Sequence, residues 1–284
     1  MSMKGSRINS IAKHTFLIIV LILTMFPIIY TILASFKSNK EILSHPEWIF
    51  PRELTFENYI KAWNSDSFSI KSMLFNSIYY TLICVIINLI TSSMSGFVFE
   101  RGFFYGKKVI FAVFSLMLFV AIGSITIYPY FEVLNLLNIP RSLPALLIIK
   151  CFGIPVANIY LVRGFVSNIP KEIDEAARID GCSFARLFFS IILPMLTPIL
   201  ATIGILSFQA SWNEYLMPTI FTMTKPSQRT LIVGVVALKS TGEAASSWNL
   251  MLAGSTIAIV PVLIAYAFGN KYFVQGIMSG AIKG

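Results

Sequence analysis

The sequence predicts an all-α, polytopic membrane protein, and three observations carry that expectation. Of 284 residues, 56% are hydrophobic and 12% are charged, with a mean hydropathy of +0.76. A soluble domain carries about 25% charged residues, so this chain is too apolar to be one. The apolar residues also gather into six runs of roughly 20, the length of helix that crosses a bilayer. Finally, the 22 Lys and Arg residues divide unequally between the two sides that these runs create.

The runs place spans at about 15–36, 72–95, 108–131, 142–162, 188–215 and 249–268, giving one transmembrane domain over residues 1–284. Lys4, Arg7 and Lys13 precede the first run, so a signal peptide is its competing reading. The run is too long for a signal core and has no clear small-residue cleavage site. In the loop that follows, Lys37 to Lys71, Pro46 and Pro51 predict irregular chain. Thr55 then serves as a cap for a short helix whose Phe56, Tyr59, Ile60 and Trp63 share one face at i, i+3, i+4, i+7. Aromatic faces of this kind settle at the membrane–water interface, the favoured reading here, with a docking surface as the alternative. The run Thr230 to Leu238 is about half a bilayer long and is expected to dip back or lie against the bundle.

The segment between the fourth and fifth spans, residues 168–188, is the most informative. Pro170 suits the first turn of a helix, and Ile173, Ala176 and Ala177 form a narrow, small face on it. Lys171, Glu172, Asp174, Glu175 and Arg178 cover the remainder with both charge signs, so this helix is expected outside lipid, against a groove on another protein. Gly181 is the natural left-handed terminator, and Ser183 can cap the helix that runs on into the fifth span. An ordinary connecting loop would also account for the charges and the glycine.

Glu175, Ala176 and Ala177, three intervening residues, Gly181, nine more, then Ile191, Leu193 and Pro194 resemble the signature loop of the membrane subunits of ABC importers. The segments TFENYIKAW and SWNEYL and the C-terminal KYFVQGIMSGAIKG resemble the carbohydrate branch, in particular the shorter permease partner of maltose-type systems. The likeness extends over nearly the whole chain. It implies a type I importer permease fold in a bacterial cytoplasmic membrane, beside a second homologous permease, two ATP-binding subunits and an extracytoplasmic solute-binding protein. It further implies that Glu175, Ala176, Ala177, Asp180 and Gly181 couple this chain to the ATPase, with ATP and magnesium bound on those partners. For the aromatic helix in the first loop, the docking alternative then means contact with the binding protein.

With the N-terminus inside, twelve basic residues lie inside and nine outside, five of the nine in the long first loop that weighs little in setting topology. An N-in, C-in orientation follows, placing the Glu175 loop in the cytoplasm. The net charge of +9 then reflects membrane orientation, and no basic run interleaved with aromatics suggests nucleic acid. No G-x-x-x-x-G-K-[ST] loop is present, so no cofactor is expected on this chain. Cys84, Cys151 and Cys182 show no metal-ligand spacing, and His14 and His45 are isolated. Neither a metal site nor a catalytic group is expected.

A charge at the bilayer centre costs about 2.5 to 3.5 kcal/mol on insertion scales, which makes polar residues in spans informative. Lys150 lies within the fourth span, where it faces a water-filled path or pairs with a carboxylate such as Glu132. Trp212, Asn213, Glu214 and Tyr215 end the fifth span with stacking rings and hydroxyl-binding groups suited to a sugar, or form an interfacial belt. Asn76, Asn88, Asn158 and Gln209 are expected to cross-link helices. Gly96, Gly123, Gly153, Gly204 and Gly254 allow close helix crossings, while Pro129, Pro155, Pro198 and Pro261 can bend spans. The expected function is an importer permease subunit moving a sugar or polyol, and the alternative is an ion-coupled secondary transporter, for which intramembrane charges are sparse.

Overall fold

The computed structural model describes residues 3–64, 69–119, 123–240 and 248–281, and every regular element among them is helical. In chain order these are α1 Met3–Ala34, α2 Asn39–Ser44, α3 Glu57–Asn64, α4 Ile70–Arg101, α5 Lys107–Met117, α6 Ile127–Leu136, α7 Leu143–Cys151 and α8 Val156–Ser167. Then follow α9 Lys171–Ile179, α10 Phe184–Met195, α11 Thr197–Trp212, α12 Leu216–Phe221, α13 Leu231–Ser240 and α14 Trp248–Ala281. The last three residues of the C-terminal motif, 282–284, lie outside the described residues.

Among the described residues three helices are long and apolar enough to cross a membrane: Ala12–Ala34 within α1, all of α4, and Trp248–Gly269 within α14. Two bent pairs raise this to five when each counts as one span: α7 with α8 at 41°, and α10 with α11 at 76°. The breaks have local causes. Gly153 and Pro155 fall between α7 and α8, and Pro194 and Pro198 flank the second bend at Leu196, each removing a backbone donor. The predicted run 108–131 is not one helix. It divides into α5, a 3₁₀ turn at Gly123–Thr126 and α6, with 120–122 outside the described residues.

The chain forms two compact units, Met1–Lys71 with Gly234–Val260 and Ser72–Val233 with Pro261–Gly284. In the first, the chain around Pro46 and Pro51 holds no regular element, as expected, and the short helix α2 precedes it. Ser38 Oγ accepts from Glu41 N at 3.2 Å to start α2, and the Ser-x-x-Glu spacing is the sequence signal that announced it. Buried Lys37 donates to the Trp48 carbonyl, and Asn58 of α3 donates to the carbonyls of Ser35 and Lys37 at 2.7 and 2.8 Å. Asn249 Nδ2 in turn donates to Asn58 Oδ1 at 2.7 Å. Thr55 Oγ1 accepts from Glu57 N at 3.2 Å at the start of α3, as expected of a cap. The inward face of α3 is Asn58 and Ala62, leaving Phe56, Ile60 and Trp63 exposed, while Tyr59 contacts Ser35 Oγ at 2.5 Å. The expected half-bilayer run is helix α13, where a Cβ on Gly254 would meet Val235 Cγ2 at 2.7 Å, marking a close helix crossing.

The second unit holds two apolar clusters. One gathers Phe97 of α4, Val162 and Val166 of α8, Ala177 of α9, Leu187 and Ile192 of α10, and Ile199 and Ile203 of α11. The other joins Tyr80 and Cys84 of α4 to Leu134, to Leu143, Ala145, Leu146 and Leu147 of α7, and to Phe221. Gly96 lets α4 approach α8, since a Cβ there would lie 2.6 Å from Val162. A Cβ on Gly204 meets nothing within 4 Å, so it marks no crossing inside this chain. Asn76 ties α4 to the 3₁₀ turn Pro226–Gln228. Its amide donates to the carbonyls of Ser227 and Arg229 at 2.8 and 3.0 Å, ahead of α13. Leu231, the first residue of α13, donates its N–H to Ser77 Oγ at 2.8 Å.

Candidate coupling elbow and intramembrane polar site

The helix–turn–helix read from 168–188 forms with its expected ends. α9 closes at Asp180, Gly181 has φ +76°, Gly181 N bonds Arg178 O at 3.0 Å, and Cys182 N bonds Ala177 O at 2.9 Å. These two bonds satisfy the last carbonyls of α9 in the Schellman pattern, which needs a left-handed residue at that point. Ser183 Oγ then accepts from Arg186 N at 3.3 Å and starts α10 in a new direction. Within α10, Leu187–Ile192 winds as a π-helix. That turn stands just before Pro194, whose ring and missing N–H disfavour a regular α turn there.

The faces of α9 differ from expectation in two respects. Ala177 is buried and Ile173 half-buried, but Ala176 is exposed, and Asp174, expected on the charged outer face, is buried. Asp174 Oδ2 lies 2.7 Å from Arg101 Nε, with the side chains 8% and 5% exposed. Arg101 Nη2 also donates to the Ile169 carbonyl, 2.5 Å away, just before α9 begins. Two charges removed from water persist only when each finds the other, and here the pair fastens the first turns of α9 to the end of α4. One residue earlier, Glu100 Oε2 accepts from Arg163 Nε of α8 at 3.0 Å. The last turn of α4 thereby holds both α8 and α9. Glu175, Ala176, Asp180 and Gly181 remain exposed on the outer side of the elbow.

At the other polar site Lys150 of α7 meets Glu214, not Glu132. Nζ donates to Oε1 and Oε2 at 2.8 and 3.0 Å, and Tyr80 OH of α4 donates to Oε2 at 2.7 Å. Cys84 follows Tyr80 by one turn and Asn88 by two, so all three share one face of α4. Beside them a cavity of about 180 Å³ is lined by Cys84, Asn88, Lys150, Gly153, Pro155 and Ser211. Of Trp212, Asn213, Glu214 and Tyr215, it is Glu214 that bonds to Lys150 and Tyr80. Trp212 is buried and stacks on Phe208 at 5.6 Å, Asn213 Nδ2 donates to the Gln209 carbonyl at 2.9 Å, and Tyr215 is exposed. Tyr80 was missed in the sequence because a lone hydroxyl in an apolar run carries no periodic signal. Among the described residues no group of three or more His, Cys, Asp or Glu is placed to hold a metal ion.

Residues 90–279 match the family described as "Binding-protein-dependent transport system inner membrane component". The chain is 33% identical over 279 residues to a probable ABC transporter permease protein, YurM, of Bacillus subtilis, covering 98% of this chain and 90% of that one. It is 32% identical over 270 residues to the probable starch degradation products transport system permease protein AmyC of Thermoanaerobacterium thermosulfurigenes, covering 95% and 96%. Its fold is that of a chain in a bacterial ABC transporter involved in the import of the acidic polysaccharide alginate, with a TM-score of 0.80, 23% identity, and coverage of 96% and 99%. The chain belongs to the binding-protein-dependent transport system inner membrane component family and is a multi-pass protein of the cytoplasmic membrane.

Proposed function

We propose that this chain is one permease subunit of a binding-protein-dependent ABC importer for a carbohydrate or related polyol. The reading is supported by the elbow: a short helix with Glu175 and Ala176 exposed, a left-handed Gly181, and a buried Arg101–Asp174 pair behind it. Relatives whose names specify starch degradation products and arabinooligosaccharides favour carbohydrate over other solutes. In this reading the chain crosses the membrane six times, N-in and C-in, with the divided 108–131 segment as its third span. The elbow sits in the cytoplasm, in a cleft of an ATP-binding subunit that holds ATP and magnesium.

Closure of two such ATPase subunits pulls the elbows of two facing permeases together. α10 runs unbroken from Phe184 to Met195, so it moves as one arm, and the 76° bend at Leu196 turns that motion into rotation of α11. Ala176 allows close seating, Ala177 locks the helix inward, and Glu175 and Asp180 offer charged contacts. At the other end of α11, the Lys150–Glu214–Tyr80 constellation and its cavity lie on the solute path, with Trp212, Asn213 and Tyr215 around the same helix end. Paired charges of opposite sign can bond sugar hydroxyls without favouring an ion.

The deciding experiment places Cys at Ala176 and at surface positions of the co-assembled ATPase. Cross-linking that changes with ATP, together with ATP hydrolysis raised by a sugar-loaded binding protein, is the expected result. Hydrolysis raised only by loaded amino-acid or peptide binding proteins would overturn the solute class. Solute uptake without any nucleotide-hydrolysing partner would overturn the importer itself.

A further inference from the structure

The turn from α4 into α5 builds a third polar feature. A pocket of about 200 Å³ opens there, lined by Lys107, Lys108 and Arg163 together with Phe99 and Phe111. Lys107 Nζ is fixed by the carbonyls of Glu100 and Gly102 at 3.1 and 2.9 Å, and Arg163 Cζ stands 3.9 Å from the centre of the Phe111 ring. Glu100, bonded to Arg163, is the one carboxylate bonded to these three cations among the described residues, so the pocket keeps an excess of positive charge.

Its surroundings are those of a membrane surface. Phe103 and Tyr105 in the connecting loop are fully exposed, an arrangement unfavourable in water and favourable among lipid headgroups. From the pocket, Val109, Val113 and Leu116 continue along α5 at i, i+4, i+7, and all three are exposed. A cationic pocket thus stands at the head of an apolar stripe. We propose that the pocket binds the phosphate of an anionic phospholipid, with an acyl chain lying along α5. A soluble phosphate would use the cations but leave the aromatic loop and the stripe without a function.

The test uses the chain purified in detergent with its co-assembled subunits. Native mass spectrometry counts bound lipid as phosphatidylglycerol or phosphatidylcholine with identical acyl chains is added. Phosphatidylglycerol should bind more tightly, and Lys108→Ala should lower that preference about fivefold, the effect of one cation near a membrane surface. Lys108→Arg should retain the preference, as should Lys40→Ala in the loop after α1. Equal affinity for the two lipids, or an unchanged preference in Lys108→Ala, would overturn the proposal. Displacement of phosphatidylglycerol by inorganic phosphate would reassign the pocket to a soluble ligand and equally overturn it. None of these outcomes bears on which solute is carried.

Discussion

Glu214 accepts hydrogen bonds from Lys150 and Tyr80, and its side chain is only 20% exposed. Removing the ammonium leaves a carboxylate in a poorly solvated place, where even a neutral polar group without its partner costs about 1 to 3 kcal/mol and a charged one more. Lys150→Gln should therefore lower the thermal unfolding midpoint in detergent, and Glu214→Gln added to it should restore most of the loss. A double variant no more stable than Lys150→Gln would show that the pair does not act as a unit. Gly181 presents a different residue-level constraint. A Cβ there meets nothing within 4 Å, so a substitution is opposed by the left-handed backbone alone, at about 1 to 2 kcal/mol for an ordinary L-residue. Uptake should decline in the order Gly181, Gly181→Asn, Gly181→Ala, Gly181→Val, because Asn tolerates positive φ and β-branching does not. Immunoblots of membranes should show equal amounts of chain throughout, and wild-type uptake by Gly181→Val would refute the dependence on this turn.

At the scale of the element, α9 is held by few groups. Ala177 and Ile173 bury little area, so the Arg101–Asp174 pair carries much of the burden of fixing a nine-residue helix. Breaking a buried pair from one side costs about 3 to 5 kcal/mol because the surviving charge is stranded. Arg101→Asp or Asp174→Arg alone should reduce both ATPase co-purification and uptake, and the exchanged pair should recover a substantial part of each. Failure of the double variant to improve on either single one would mean that the contact does not position the elbow. α10 adds a second device. Its π-helical turn and the prolines near Leu196 let one apolar run, read as a single span, bend by 76°.

At the scale of the molecule, the surface identifies its solvent. None of the apolar window of α1 is buried inside the chain, and large side chains such as Phe16, Leu17, Leu23 and Phe26 are exposed along it. In water this would drive aggregation; in a bilayer the same surface is solvated by lipid or by a second helical subunit. The proposed orientation makes a direct prediction. In intact cells a membrane-impermeant thiol reagent should label Trp63→Cys on α3 but leave Ala176→Cys on α9 unlabelled until the membrane is opened, each tested in a background without native cysteines. Labelling of Ala176→Cys from outside would place the elbow on the wrong side for an ATPase.

By itself the sequence determined the features that local physics controls: apolar runs matched to bilayer thickness, the Thr55 and Ser183 caps, the left-handed turn at Gly181, and the aromatic face of α3. Each depends on residues within a turn or two of one another, so spacing alone reveals it. Tertiary structure decided which groups meet. Lys150 pairs with Glu214 across 64 positions, Asp174 turns inward to Arg101, and Tyr80 joins a site that no motif marks. Helix packing brings those side chains together, and the high cost of an unpaired charge in a dry interior then selects the partner.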